Sequence, residues 1–304
     1  MGPSFLRQFV RASRNFELTW RYGFNFAPTI SYKFAPHSIT KEAERVLREL
    51  NSRGIAMTSV NSLLQDSSIF QELNEKVEEL ERERNGELAT RRAAANNADI
   101  GQKTFNVEML GSNPSLDPDS VYARFALQQP ILQIANAYFG MYTRLRYYNV
   151  WHTFATTAQP RESQLWHYDR EDHFIFKVFV YLSDVSQDAG PFTYAPGSHL
   201  KKGLADQPKY FVEGGVRRSN DDQMAEVVPR EHWINATGPR GTIVFADTRG
   251  YHKGGLARTN DRLMYLCMFT SPASESQELF QVRNKLEPQR DRAMSYALSH
   301  ALRT

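Results

Sequence analysis

A histidine and an aspartate stand two apart in "WHYD", residues 166–169, with Trp166 and Tyr168 interleaved. Residues i and i+2 of a β-strand share a face, so His167 and Asp169 would present an imidazole and a carboxylate side by side. A third ligand is offered far downstream by His252, in "DTRGYHKGG". Two histidines and one carboxylate, leaving one side of a metal open, make the facial triad of non-haem Fe(II) oxygenases; the free positions take a bidentate cosubstrate and dioxygen. Ten residues beyond His252, Arg262 opens the apolar run "RLMYLCMF". A guanidinium entering a buried strand must find an anion, and its fork matches a carboxylate in bidentate geometry. The distal carboxylate of 2-oxoglutarate is such an anion. Each of the three ligands alone reads as well as a satisfied core residue; the combination with Arg262 is what points to chemistry.

Such side chains need a β scaffold to converge. From about residue 143 the chain breaks into short aromatic and β-branched runs, among them "TRLRYYNVWHTF", "SQLWHYD", "FIFKVFVYLSDV" and "GPFTYAPGSH", separated by Gly, Pro, Asp and Ser. That texture predicts antiparallel β structure, a sandwich or jelly-roll barrel. Upstream, "SITKEAERVLRELNSRG" has capping candidates before Lys41, apolar Val46, Leu47 and Leu50 at helical spacing, and Gly54 as a stop. "IAMTSV" reads as a short strand. A charged segment from Ser67 to Asn97 and an amphipathic one ending at Gly140 each read as one helix. The fold class expected is mainly β with flanking α-helices. The plan is one domain: an irregular N-terminal arm over 1–40, a helical flank over 41–142, a β core over 143–275 and a C-terminal helix over 276–304. Within the core, the polar stretch 201–235 reads as an insertion, and loops of that length are often functional lids.

Composition narrows the class without naming the chemistry. With 304 residues, 41% hydrophobic and 12% aromatic, the chain can fill a globular core. No run approaches the roughly 20 apolar residues that span a bilayer, and no uninterrupted apolar stretch near the start reads as a secretory signal. A formal net charge of +3 and the lack of a basic stripe argue against nucleic acid, and so against a nucleic-acid demethylase. The single cysteine, Cys267, reads as a buried core residue and suits a reducing cytoplasm.

In element order over residues 40–270, and most closely over 143–270, the chain resembles the phytanoyl-CoA dioxygenase-like family of Fe(II)/2-oxoglutarate oxygenases. The residues carrying the likeness are "WHYD", "FKVFVYLSDV", "GPFTYAPGSH", "HKGG" and Arg262. The resemblance implies a double-stranded β-helix (a jelly-roll, cupin-like core), iron on His167, Asp169 and His252, and 2-oxoglutarate on Arg262. It also implies dioxygen as oxidant, succinate and CO2 as coproducts, and hydroxylation of an unactivated C–H bond in a small molecule. Related halogenases lack the carboxylate, so Asp169 argues for hydroxylation over halogenation. Desaturation, epimerisation or cyclisation by the same iron chemistry, or a barrel binding metal without redox turnover, are the alternatives. Arg262 speaks against the last, since a plain metal-binding cupin needs no buried guanidinium there.

The family usually has Ser or Thr two places after the distal histidine; here that residue is Gly254, so a hydroxyl beside Arg262 must come from elsewhere. Thr193 is one candidate, although it reads equally as a β-branched strand residue. Lys177 interrupts an apolar strand and must meet an anion or reach water; cosubstrate and substrate are both candidates. Tyr148 and Asn149 point to opposite faces, so only one lines the pocket. His173 reads as rim or solvent, His199 as a corner of the "PGSH" turn, and His152 as a pocket candidate that nothing beyond its strand supports. Arg217, Arg218, Arg249, Lys253, Arg258, Lys201 and Lys202 suit either an anionic substrate or an ordinary solvated surface. Oligomeric state is not legible.

Overall fold

The computed structural model describes residues 16–96, 103–200, 206–213, 215–275, 278–281 and 291–299. The arm is helical from Glu17, through a π-turn at Trp20–Phe24 and helix α1 (Phe26–Lys33), rather than irregular. Trp20 is what ties it down, buried and donating Nε1–H to Asp172 Oδ1 at 2.9 Å. Helix α2 (Lys41–Arg53) starts where Thr40 accepts the Ala43 N–H and stops at Gly54, whose φ of 79° is left-handed. A Cβ on Gly54 would lie 2.3 Å from the Tyr194 hydroxyl, so this position is glycine for space as well as for its dihedral.

Strand β1 (Ile55–Ser59) follows, as its sequence predicts. The charged segment then forms two helices, α3 (Ser68–Glu83) and α4 (Asn85–Ala95), interrupted at Arg84. Its surface reading holds for one face only, because Leu73 and Val77 are buried. After β2 (Asn106–Glu108), the amphipathic segment also divides, into α5 (Val121–Ala126) and α6 (Gln129–Phe139), the latter ended by left-handed Gly140. Pro130 suits the division: without an N–H it cannot continue a helix from α5, and in the first turn of α6 no N–H is needed.

The β core contains β3 (Arg144–Thr153), β4 (Phe176–Tyr181), β5 (Phe192–Tyr194), β6 (Phe211–Glu213), β7 (Val216–Arg218), helix α7 (Asp221–Ala225), β8 (Ile234–Ala236), β9 (Thr242–Asp247), β10 (His252–Gly254) and β11 (Arg262–Thr270). A six-stranded sheet runs β1-β9-β4-β11-β3-β2, a three-stranded sheet runs β10-β5-β8, and β6-β7 form a hairpin. Every paired strand is antiparallel. Phe179, Met264 and Leu266 of the large sheet pack with Phe192 and Tyr194 of the small one, and the Phe179 and Phe192 rings lie 4.7 Å apart. The opposite face of the large sheet, with Tyr148, Val150 and Cys267, packs on helices through Val46, Leu73 and Phe125. Alternation along each strand separates these two cores. Most of the expected C-terminal helix lies outside the described residues; α8 (Arg292–Ala297) is the part described. No described helix is long and apolar enough to cross a membrane.

The insertion is built, not bare. It holds β6-β7, α7 and β8, and it is fastened to the "WHYD" segment through paired backbone bonds between Trp166 and Ser219, both 2.9 Å. Trp166 also donates Nε1–H to Asp221 Oδ1 and stacks edge-on to Trp233. Lys201 and Lys202 lie outside the described residues.

Candidate metal centre

"WHYD" forms no ladder strand. Trp166 and His167 make single bridges, the latter to His252, with N···O distances of 3.0 and 2.9 Å in the two directions. The backbone of Asp169 donates to Thr248 O at 2.8 Å. These bonds strap the first two candidate ligands to the segment carrying the third. Ligand atoms of His167, Asp169 and His252 all lie within 4.8 Å of one another.

Tautomers are fixed locally. His167 Nδ1 lies 2.8 Å from Leu165 O and His252 Nδ1 lies 2.9 Å from Gly250 O. A carbonyl oxygen only accepts, so each Nδ1 carries the proton and each Nε2 keeps its lone pair for the metal. Gly250 permits this close turn, because a Cβ there would fall 2.0 Å from the Tyr194 hydroxyl. Burial, with the neighbouring histidine, holds His167 well below its ordinary pKa; burial also lowers that of His252. Burial alone would raise the Asp169 pKa, but the Lys177 ammonium and both histidines outweigh it and hold the carboxyl low. Two neutral imidazoles and one carboxylate at neutral pH are the donor set that suits Fe(II).

Lys177, on β4, meets its anion in Asp169 itself, Nζ to Oδ2 at 2.6 Å. Its pKa is raised, because Asp169 and Glu171 overcome the cost of burial. Its partner is thus the carboxylate of the candidate metal cluster. Thr193 departs from its expected place: its hydroxyl is 2.8 Å from Asn235 Oδ1 and 3.2 Å from Pro191 O, on the strand face opposite Phe192 and Tyr194. The hydroxyl next to Arg262 belongs to Thr153, 3.5 Å from Nη2 and opposite Arg262 in the β3–β11 register. Sequence reasoning missed Thr153 because its partner comes from cross-strand register, which a single strand does not reveal.

Arg262 is buried, donates to Gly190 O, and has no carboxylate partner among the described residues. Its Nε lacks a hydrogen-bond partner, and burial lowers its pKa. Gly254, two residues from His252 on β10, lies against it: a Cβ there would be 3.9 Å from Nη2. A buried, uncompensated guanidinium beside a His/Asp/His cluster fits a diacid cosubstrate.

The remaining candidates resolve individually. Asn149 shares the inner face with Leu266, whereas Tyr148 opposes Cys267 on the helix side. His173 stacks on Trp20 at 5.0 Å, and His199 is buried near Gly54. His152 faces Glu81 and Asp261 rather than the pocket. Arg249 grips Asp247 through bonds of 2.5 to 3.0 Å, and Tyr138 donates to the same carboxylate at 2.7 Å. Lys253 pairs with Asp221, and Arg258 donates to Thr156 O and Ala158 O at 3.0 Å. Arg218 is buried against Glu162 at 3.5 Å, while Arg217 lies over the Tyr210 ring.

A search of curated protein sequences returns no match. Among solved structures, EctD from S. alaskensis in its apoform is similar at 16% identity with a TM-score of 0.53, covering 82% of this chain and 87% of that one. EctD solved with 2-oxoglutarate and 5-hydroxyectoine gives 16% identity, a TM-score of 0.52, and 84% coverage of each chain. At that identity the likeness concerns the fold. The model for phytanoyl-CoA dioxygenase (PhyH) matches residues 62–264, a span that includes all three clustered ligands and Arg262. The chain belongs to the phytanoyl-CoA dioxygenase family of Fe(II)- and 2-oxoglutarate-dependent oxygenases.

Proposed function

We propose that this oxygenase hydroxylates an unactivated C–H bond of a small molecule at a site where His167, Asp169 and His252 hold Fe(II) and Arg262 holds 2-oxoglutarate. The observation that carries the reading is the convergence of two lone-pair Nε2 atoms and a carboxylate with a buried guanidinium that has no carboxylate partner among the described residues. Iron with 2-oxoglutarate and dioxygen supplies the oxidising power, releasing succinate and CO2. The chain's own residues orient and exclude. Leu165 O and Gly250 O aim the imidazoles, Lys177 holds the Asp169 carboxylate, and Arg262 receives the distal carboxylate of the diacid, its Nη2 held by Thr153, whose own hydroxyl donates to Asn106 Oδ1 at 2.9 Å. The aromatic layer between the two sheets keeps water from the reacting centre. Asp169 occupies the third protein position, which is why hydroxylation is chosen over halogenation. The two antiparallel sheets with their shared apolar interior support a double-stranded β-helix. Buried Cys267 suits a reducing cytoplasm.

The test is succinate formation from 2-oxoglutarate with Fe(II) and ascorbate present. Turnover should require Fe(II) and 2-oxoglutarate, with ascorbate only keeping the iron reduced, and chelation should abolish it; turnover indifferent to iron would end the reading. A finer expectation concerns the hydroxyls. Thr153→Val should raise the KM for 2-oxoglutarate about fivefold, the worth of one modest hydrogen bond. Thr193→Val should leave it within about twofold, because its hydroxyl is engaged on the other face. Steady-state kinetics in the cosubstrate checks both.

A further inference from the structure

Thr153 and Arg262 oppose each other on the inner face of β3 and β11. Their chain neighbours, His152 and Asp261, meet on the outer side. His152 Nδ1 is 2.9 Å from Glu81 Oε1 of α3, and its Nε2 is 2.9 Å from Asp261 Oδ2. A neutral imidazole has one N–H and one lone pair, so in that form one contact would set a lone pair against a carboxylate. Both contacts are satisfied only when both nitrogens carry protons. Asp261 further accepts from the Ala155 N–H at 2.9 Å and from Arg92 of α4, whose guanidinium lies 5.0 Å over the Phe154 ring. The imidazolium at the end of β3 thus joins α3 to the residue before β11, and α4 reaches the same rung through Asp261.

We propose that His152, as an imidazolium bridging Glu81 and Asp261, is a positioning residue for Arg262 in 2-oxoglutarate binding. The proposal rests on the reading of Arg262 given above. Arg262 projects from the first residue of its strand, where pairing is least constrained, and Asp261 is the anchor immediately before it. Thr153, which touches the guanidinium and donates its hydroxyl to Asn106 Oδ1 at 2.9 Å, directly follows His152 in β3. Bidentate carboxylate recognition is sensitive to aim, so loosening this rung weakens grip on the diacid without touching the metal.

The charged groups facing His152 are Glu81 and Glu78 from α3, Asp261, Arg92 from α4, and Arg240 ahead of β9, which is engaged with Glu78 at 3.2 Å. Without the imidazolium, three carboxylates face two guanidiniums. Burial would lower the His152 pKa, but its hydrogen bonds to Asp261 and Glu81 outweigh that and raise it above 6.5. The bridge is thus fully present below the ordinary histidine value and is lost as pH rises through the raised one. Affinity for 2-oxoglutarate should fall over the same interval.

The experiment is calorimetric binding of 2-oxoglutarate to the anaerobic Fe(II)-loaded protein, compared with 2-oxopentanoate, which has the chelating end but no distal carboxylate. His152→Gln should weaken 2-oxoglutarate about tenfold, in the range for losing a supporting hydrogen-bond partner, and leave 2-oxopentanoate unchanged. His152→Lys, a cation at all these pH values, should flatten the pH dependence of the ratio between the two acids. Equal weakening of both acids, or of neither, overturns the proposal, as does a His152 ring titrating in NMR at or below the ordinary histidine range. Arg262→Gln separates the two readings. If that variant keeps the preference for the diacid, the role of Arg262 fails and this proposal with it; if it loses the preference while His152→Gln does not, only the present proposal fails.

Discussion

Replacing Arg262 with glutamine should raise the KM for 2-oxoglutarate about 100-fold, in line with the cost of truncating one partner of a buried, hydrogen-bonded charge pair. The expectation follows from burial and isolation together. The guanidinium is buried, its Nε has no partner, and no carboxylate among the described residues neutralises it. A dicarboxylate arriving there gains a charge-assisted pair at a site already desolvated. Glutamine keeps much of the length and one donor group but no charge. The kcat at saturating cosubstrate should fall far less than kcat/KM, because the reacting end is held by other residues. Steady-state kinetics with 2-oxoglutarate as the varied substrate reads this directly. A KM within about threefold of wild type, less than one ordinary hydrogen bond is worth, would remove Arg262 from the site.

Asp169→Ala should abolish iron-dependent succinate formation to less than about 1% of wild type, beyond the 10–100-fold typical of losing an outer partner of a metal ligand. The loss has two components that a double variant separates. Asp169 is the one carboxylate of the proposed triad, and it is also the counter-ion of Lys177 at 2.6 Å. Removing it leaves a buried ammonium unpaired, and breaking such a pair costs about 3–5 kcal/mol. Thermal unfolding should therefore show the single variant clearly destabilised. Asp169→Ala with Lys177→Met should recover much of that stability while remaining inactive and failing to retain iron by metal analysis. Recovery of activity in the double variant would mean that Asp169 acts only as the lysine's partner.

The local grammar of the chain was readable in advance. Thr40 and Gly54 bound α2 as capping chemistry requires, and the short aromatic and β-branched runs after residue 143 became antiparallel strands. The i, i+2 spacing of His167 and Asp169 survived even though "WHYD" forms bridges rather than a ladder strand, because extended backbone keeps alternate side chains on one side whether or not it is fully paired. Residue types at fixed offsets, His167, Asp169, His252 and Arg262, carried the metal and diacid reading for the same reason: they ask for chemistry that few other arrangements need. Two segments whose pattern predicts continuous helices are divided, one at Arg84 and one between Ala126 and Gln129, where Pro130 enters the first turn.

Partner choice was decided by tertiary structure. Lys177 could have met cosubstrate, substrate or water, and the fold set it on Asp169. Arg249, Lys253 and Arg258 offered themselves as anion binders, yet Asp247, Asp221 and backbone carbonyls engage them. Thr153, not Thr193, has the hydroxyl against Arg262, because β3 and not β5 lies opposite it. His152 found acids 71 and 109 residues away. Hydrophobic periodicity and capping act within a few residues and so are written into the local sequence, whereas the pairing of buried charges depends on strand register and on which sheet faces which. Those are set by burial summed over the whole chain, and no short stretch of sequence contains them.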